Sequence, residues 1–296
     1  MITATGNFII SKNLKTGANV NISARNITIE DNVIIKDNVT IHCLNSLHIG
    51  KFSILGNNVN IQCNNFFCDE WLYMCDRAEV GRGGCFNPES NVKIGKHVGI
   101  FEGVVLNPNS ELTIGDDCGI GSECMFWTHG AWLNPLNGFP KDFGPITVGN
   151  DVWIPARTIV LPNVTIGDNV VIGTNSLINK SIPSGSMAAG IPCKVRQENA
   201  YPKKLSNEQK SAILNDIKIT WLNLLKFKNV DISRLSLKVD EKINLVLDTE
   251  HGSNYFDLEN KIIQGESNSI SEDLRDFLRR NGIKIYTDKH FHSIKL

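Results

Sequence analysis

From Val148 onward an aliphatic residue recurs at every sixth position without a gap: Val148, Ile154, Val160, Ile166, Ile172 and Ile178. Four places after the first five stand small or β-branched residues, Val152, Thr158, Val164, Val170 and Ser176, with Gly, Asn, Asp and Pro between. A period of six is neither the 3.6 of a helix nor the alternation of an ordinary strand. It describes a short flat strand, a tight turn and the next strand. The same frame recurs upstream in Ile114, Ile120 and Phe126, with Cys118 and Cys124 in the small slots, and in Ile94, Ile100 and Leu106. Ile49, Leu55 and Ile61, and before them Ile29, Ile35 and Ile41, keep it too. Three six-residue faces close one triangular coil, and stacked coils align like residues in ladders, which is the pattern of a parallel β-helix. Gly, Asn and Asp cluster at the corners because these residues tolerate tight bends and positive φ.

The 296 residues are 41% hydrophobic and 21% charged, the balance of a globular chain. A net charge of −1 creates no global field toward nucleic acid or an anionic membrane. The opening MITATGNFIISKNLKTG lacks a basic region followed by an apolar core, so no signal peptide is expected. No apolar run of about 18 residues exists to span a membrane, and the cytoplasm is the expected location. The eight cysteines form no C-x-x-C pair, which argues against a structural zinc site. They read as small buried thiols.

The segment ITVGNDVWIPARTIVLPNVTIGDNVVIGTNSLINKSIPSGSMAAGIPCKV resembles the end of a hexapeptide-repeat acyltransferase. It is most similar to the galactoside, maltose and capsule-sugar O-acetyltransferases, and more distantly to the xenobiotic acetyltransferases. The close match covers residues 112–196; farther upstream only the repeat frame matches. The resemblance implies a left-handed β-helix, a homotrimer with active sites between neighbouring prisms, and acetyl-CoA as donor substrate without a metal. The expected architecture is mainly β: a left-handed parallel β-helix over 1–198, then a small α+β domain over 199–296.

Function in a repeat protein concentrates where the repeat breaks, because insertions become surface loops. Two breaks are expected, near 62–93 and at 128–145. His129 opens the second. Acetyl transfer to a hydroxyl needs a base, and an imidazole with an ordinary pKa of about 6.5 is proton-accepting near neutrality. In the family the catalytic His follows Thr at the start of this loop, upstream of a W-I-x-x face. Thr128-His129 and Trp153-Ile154-Pro155-Ala156 match that arrangement. The resemblance implies that Trp153 lines the acceptor pocket. It also implies that Ala156, Thr174 and Asn179 hold the pantetheine arm, with the Ala156 amide as oxyanion donor, and that Lys180 and Lys194 meet the nucleotide phosphates. Trp127 and Trp132, flanking His129, stand equally for packing and for pocket lining. Glu102 and Glu123 are either solvated corner carboxylates or groups that orient the base or the acceptor. No counterpart of the acceptor-binding N-terminal helical segment of the sugar acetyltransferases is expected in this sequence.

The leading functional expectation is O-acetylation of a carbohydrate, a bacterial surface or capsular polysaccharide. An N-acetyltransferase acting on an amino sugar and a xenobiotic acetyltransferase are the alternatives. A γ-class carbonic anhydrase would need three histidines meeting at an interface. Only His129 stands in a loop beside the late coils, with His97 the nearest other in sequence.

After IPCKV the repeat stops. Ser206-Asn207-Glu208-Gln209 reads as a capping box, and Ile213, Ile217, Trp221, Leu224 and Leu225 at helical spacing predict a helix over 207–225. RLSLKVD, KINLVLDTE, NYFDL and KIIQG suggest strands, a second helix is expected over 271–280, and IKIYT reads as a final strand. Gly282 supplies the left-handed stop for the second helix. Arg275, Arg279, Arg280 and Lys284 offer either an ordinary charged face or contacts to an acidic acceptor.

Overall fold

In the computed structural model, which describes residues 1–83 and 85–295, the six-residue frame becomes three stacked parallel ladders. Rungs of the first face are Ile2, Ile22, Ile41, Ile61, Val80, Leu106, Phe126, Val160 and Ile178. Those of the second are Ile10, Ile29, Ile49, Cys68, Ile94, Ile114, Val148, Ile166 and Ile182. The third face runs Thr16, Ile35, Leu55, Met74, Ile100, Ile120, Ile154, Ile172 and Ala188. This is a left-handed parallel β-helix. From Ile22 to Ile178 every first-face rung is almost wholly buried. Burial of each aliphatic rung stabilises the prism by about 1.5–3 kcal/mol, so the ladder is the core.

Two of the three corners are invariant. Second face to third is always six residues, as from Ile29 to Ile35 or Ile114 to Ile120, and third to first likewise, as from Ile35 to Ile41. At these corners, from the Thr16 rung to the Ile182 rung, the third residue after the rung takes positive φ. Asn and Asp fill many of these places, as expected, but Phe52, Trp71, His97, Glu123 and Arg157 also adopt it, at φ 59 to 63°. Left-handed geometry costs such residues about 1–2 kcal/mol each. Phe52 and Trp71 offset that cost by stacking, centroids 4.7 Å apart.

All length variation falls on the remaining corner. First face to second takes six residues from Val160 to Ile166, eight from Ile41 to Ile49, fourteen from Val80 to Ile94 and twenty-two from Phe126 to Val148. The loop expected over 62–93 is therefore mostly coil. Asn60–Cys68, Tyr73–Met74 and Glu79–Val80 are strands in register with their neighbours, and the insertion is confined to the stretch between Val80 and Asn91. Cys68 and Met74 occupy rungs there, so an aliphatic frame read from sequence loses the thread.

Side chains just before the rungs form the outer surface. On the third face this row starts at Lys15 and is otherwise built from apolar residues and glycine, with Ile34, Ile54, Tyr73, Trp153, Val171 and Met187. Gly99 and Gly119 interrupt it, and at Gly119 the Trp153 indole lies across the position, where a Cβ would come within 2.6 Å of the ring. On the second face the same row is largely polar, with Lys93, Thr113, Thr147 and Thr165.

The chain divides into two compact units, Met1–Lys203 and Lys204–Leu296. In the second, helix α1 spans Asn207–Phe227 and starts with the capping box of Ser206 and Gln209. Its buried stripe is Leu214, Ile217, Trp221 and Leu225; Ile213 faces outward. Four antiparallel strands follow, Ser236–Val239, Leu245–Thr249, Gly252–Asp257 and Ile262–Gln264, then helix α2 over Ser269–Arg280. Gly282 beyond it has φ 85°.

The expected strand IKIYT does not form. The buried Arg275 guanidinium binds the carbonyls of Ile285, Lys289 and His290 at 2.8–3.3 Å and stacks 4.4 Å from the Phe291 ring. Backbone acceptors of the terminal segment are thereby taken by a side chain instead of a sheet. Arg275, with no exposed surface, is a structural anchor and offers nothing to an acidic acceptor. Asp273 is equally buried and accepts from Trp221 Nε1 at 2.9 Å, Lys228 Nζ at 2.9 Å and the Ile294 amide at 2.8 Å. Asp273→Ala leaves the Lys228 ammonium buried without its counter-charge. The substitution is expected to cost the second unit about 3–5 kcal/mol, read as an earlier urea transition in the fluorescence change that accompanies Trp221 exposure.

Candidate active site

The variable corner carries both insertions, two coils apart, with the Asn107 coil between them. At the upper one, strand Met125–Trp127 leads into Thr128, whose hydroxyl is wholly buried. Its Oγ1 donates to the Asn107 carbonyl at 2.8 Å and accepts from the Ser110 amide at 2.9 Å, which pins the chain to the coil beneath. His129–Gly130 then pairs antiparallel with Asp142–Phe143, so the segment leaves and returns as a two-stranded arm. Residues between these strands are exposed throughout, Trp132 at 95% and Leu136 at 92%. Trp132 is therefore almost free of packing among the described residues, whereas Trp127 stands edge-on to the His129 ring, centroids 6.3 Å apart. Phe143 lies over the same imidazole at 5.7 Å.

The half-buried His129 places Nδ1 2.8 Å from Asn107 Oδ1. Asn107 is fully buried, and its amide nitrogen donates to the carbonyls of Gly81 at 2.7 Å and Arg82 at 2.9 Å, with that of Gly83 at 3.4 Å. Turning the amide over would set its oxygen against those carbonyl oxygens, so Oδ1 must face the imidazole. Facing an acceptor, Nδ1 carries the proton. The lone pair is then on Nε2, which makes no hydrogen bond to any described residue. The ring is set to take a proton on Nε2.

Asn107 was not legible as a site residue from the sequence alone. It stacks directly beneath Trp127, a register of twenty residues that the regular eighteen-residue coil does not suggest. The insertion just before Asn91 was visible, but nothing in its composition shows that its carbonyls converge on an asparagine.

The other expected residues divide over the prism. Asn179 and Lys180 follow the Ile178 rung and lie exposed at the His129 corner, two coils higher. Trp153 is 43% exposed on the third face, edge-on to Phe101. Ala156 and Thr174 stack at the corner between the third and first faces, where the Ala156 carbonyl accepts from the Asn175 amide at 3.0 Å. Lys194 is exposed in a strand antiparallel to Met187–Ala189. Within one chain, the His129 corner and the Trp153–Ala156 surface are thus on different sides. Glu102 and Glu123 occupy the latter corner, bonded to Ser122 at 3.1 Å and Arg157 at 2.8 Å, and do not orient His129.

Residues 145–180 match the family described as bacterial transferase hexapeptide (six repeats). Over 116 residues the chain is 37% identical to the galactoside O-acetyltransferase of Escherichia coli (strain K12), covering 38% of this chain and 57% of that protein. A protein of Staphylococcus aureus (strain MRSA252), provisionally named an acetyltransferase, is 41% identical over 132 residues, 43% of this chain and 61% of that one. Among solved structures, the polySia specific acetyltransferase NeuO overlays with a TM-score of 0.44 at 18% identity, over 77% of this chain and 98% of that one. The chain spans about three fifths of the length of these curated relatives and carries the hexapeptide repeat of the bacterial transferases.

The eight thiols are all buried. Burial pushes Cys68 up to about 12 and Cys75, Cys85 and Cys124 up to about 11. A thiol held that far above neutrality is not a nucleophile. Among the described residues no three His, Cys, Asp or Glu side chains converge as metal ligands. A colorimetric disulfide reagent at pH 8 is expected to titrate less than one thiol per native chain and all eight after denaturation; rapid native labelling would contradict this burial.

Proposed function

We propose that the protein is an O-acetyltransferase that moves the acetyl group of acetyl-CoA to a carbohydrate hydroxyl, with His129 as general base. The observation that carries this reading is the His129–Asn107 pair, which leaves Nε2 unprotonated and unengaged at the foot of an exposed arm. The relatives' acetyltransferase names and the hexapeptide repeat supply the donor. The acceptor oxygen attacks the thioester carbonyl while its proton passes to Nε2. Collapse of the tetrahedral intermediate expels the coenzyme A thiolate, which takes the proton back from the imidazolium, so the enzyme ends unchanged. No covalent intermediate on the enzyme is needed, in keeping with the buried thiols.

In this reading the Ala156 amide meets the developing oxyanion, a contact whose removal elsewhere costs about 3–4 kcal/mol. Thr174 and Asn179 line the pantetheine arm, Lys180 and Lys194 meet phosphates as point charges, and Trp153 offers its face to a sugar. These groups lie on two sides of one prism, so one chain supplies two half-sites. A homotrimer completes them by setting the His129 corner of one copy beside the Trp153–Ala156 surface of the next. The apolar outer row of the third face and the exposed Trp132 and Leu136 of the arm support burial against such copies. A surface polysaccharide such as a capsule sugar is the proposed acceptor class, and the cytoplasm the proposed place of work.

His129→Ala is expected to lower thiol release from acetyl-CoA at least about a hundredfold against a panel of bacterial polysaccharide repeat units. Light scattering should still return three times the 32.8-kDa chain mass. Near-normal turnover by the variant would overturn the role of His129. A product that survives mild alkali would be an amide and would replace O- by N-acetylation.

A further inference from the structure

We propose that the insertion after the Val80 rung is a positioning device that fixes which nitrogen of His129 carries the proton. The proposal rests on the reading of His129 as the base, and it deepens that reading by assigning a task to a segment outside the arm.

Three consecutive residues there have positive φ: Gly81 at 137°, Arg82 at 71° and Gly83 at 73°. Such a run curls the backbone in one sense, and its carbonyls converge on the Asn107 amide nitrogen. Arg82 is a long side chain held in left-handed geometry, a strain that persists only where the surroundings over-determine it. Its Nε bonds Glu79 at 2.7 Å, in the coil that the insertion leaves. The buried Cys85 thiol closes the cradle, donating to the Gly83 carbonyl at 3.2 Å and standing 3.5 Å from the Asn107 amide nitrogen.

A prism coil has no use for this curl. From Thr16 onward the two invariant corners turn with one left-handed residue each, and the simplest form of this corner, Val160 to Ile166, needs six residues and no insertion. What the curl accomplishes is to present several acceptors at one point inside the wall. An asparagine facing several acceptors has only one amide orientation open to it, and a histidine facing that oxygen has only one tautomer. The order of dependence is therefore backbone curl, Asn107 orientation, proton on Nδ1, lone pair on Nε2. Gly81, Gly83 and Cys85 act through Asn107 and are positioning residues.

The test is Gly83→Val in the full chain. A Cβ at Gly83 meets nothing within 4 Å, so the substitution opposes the left-handed φ without disturbing packing. Histidine-selective ¹⁵N labelling, with His129→Gln to identify the signal, reads the tautomer directly above the titration range. Wild type should show Nδ1 protonated and Nε2 bare. Gly83→Val should show a mixture of tautomers, with kcat falling about tenfold and KM for acetyl-CoA unchanged. Cys85→Ser, which keeps a donor at the same place, should retain the wild-type signal. Unchanged shifts of the other six histidines certify the fold. A wild-type ring protonated on Nε2, or a Gly83→Val ring with the wild-type tautomer, overturns the proposal. Because the ¹⁵N signal needs no acceptor and no turnover, its outcome is separate from whether the protein transfers acetyl groups.

Discussion

Register between stacked coils is the constraint on which the rest depends. Each rung pairs in parallel with the one below and the one above, and each buries its side chain on the same axis. A residue added at an invariant corner would shift every later rung of that face and turn core side chains outward. Only a corner whose insertion leaves and returns at the same rung escapes this penalty. Here one corner takes all of it, so both insertions arise on the same edge, with only the Asn107 coil between them. That placement lets the carbonyls after Val80 reach Asn107 and lets Asn107 reach His129.

The core was readable because its code is simple. Aliphatic rungs six apart from Val148 to Ile178 admit no other fold, and the corner Asn and Asp residues adopt the positive φ their identity suggests. Reading failed where chemistry was substituted within the code. Cys68 and Met74 fill rungs as well as isoleucine does, because they are apolar and adaptable, yet they hid a regular coil inside an apparent loop. The second unit shows the converse. IKIYT has the alternation of a strand, but the buried Arg275 claims the carbonyls around it, and a tertiary contact overrides the local pattern.

The candidate site was half legible. His129 announces itself by following Thr128 at the mouth of an insertion. Its partner does not, since Asn107 lies one irregular coil away and owes its orientation to backbone atoms that a sequence does not display. Glu102 and Glu123 look like neighbours of the His129 coil by sequence, but three faces separate adjacent residues quickly, and both sit at another corner. The same geometry distributes the residues proposed for the donor site over two sides of the prism, so the proposed chemistry calls for a second copy.

A crystal structure with coenzyme A bound tests that chemistry most directly. The terminal sulfur is expected beside Nε2 of His129 in one copy, with the pantetheine arm running along Ala156 and Thr174 of the next. Coenzyme A seated with its sulfur away from His129, or held wholly by a single chain, would contradict it.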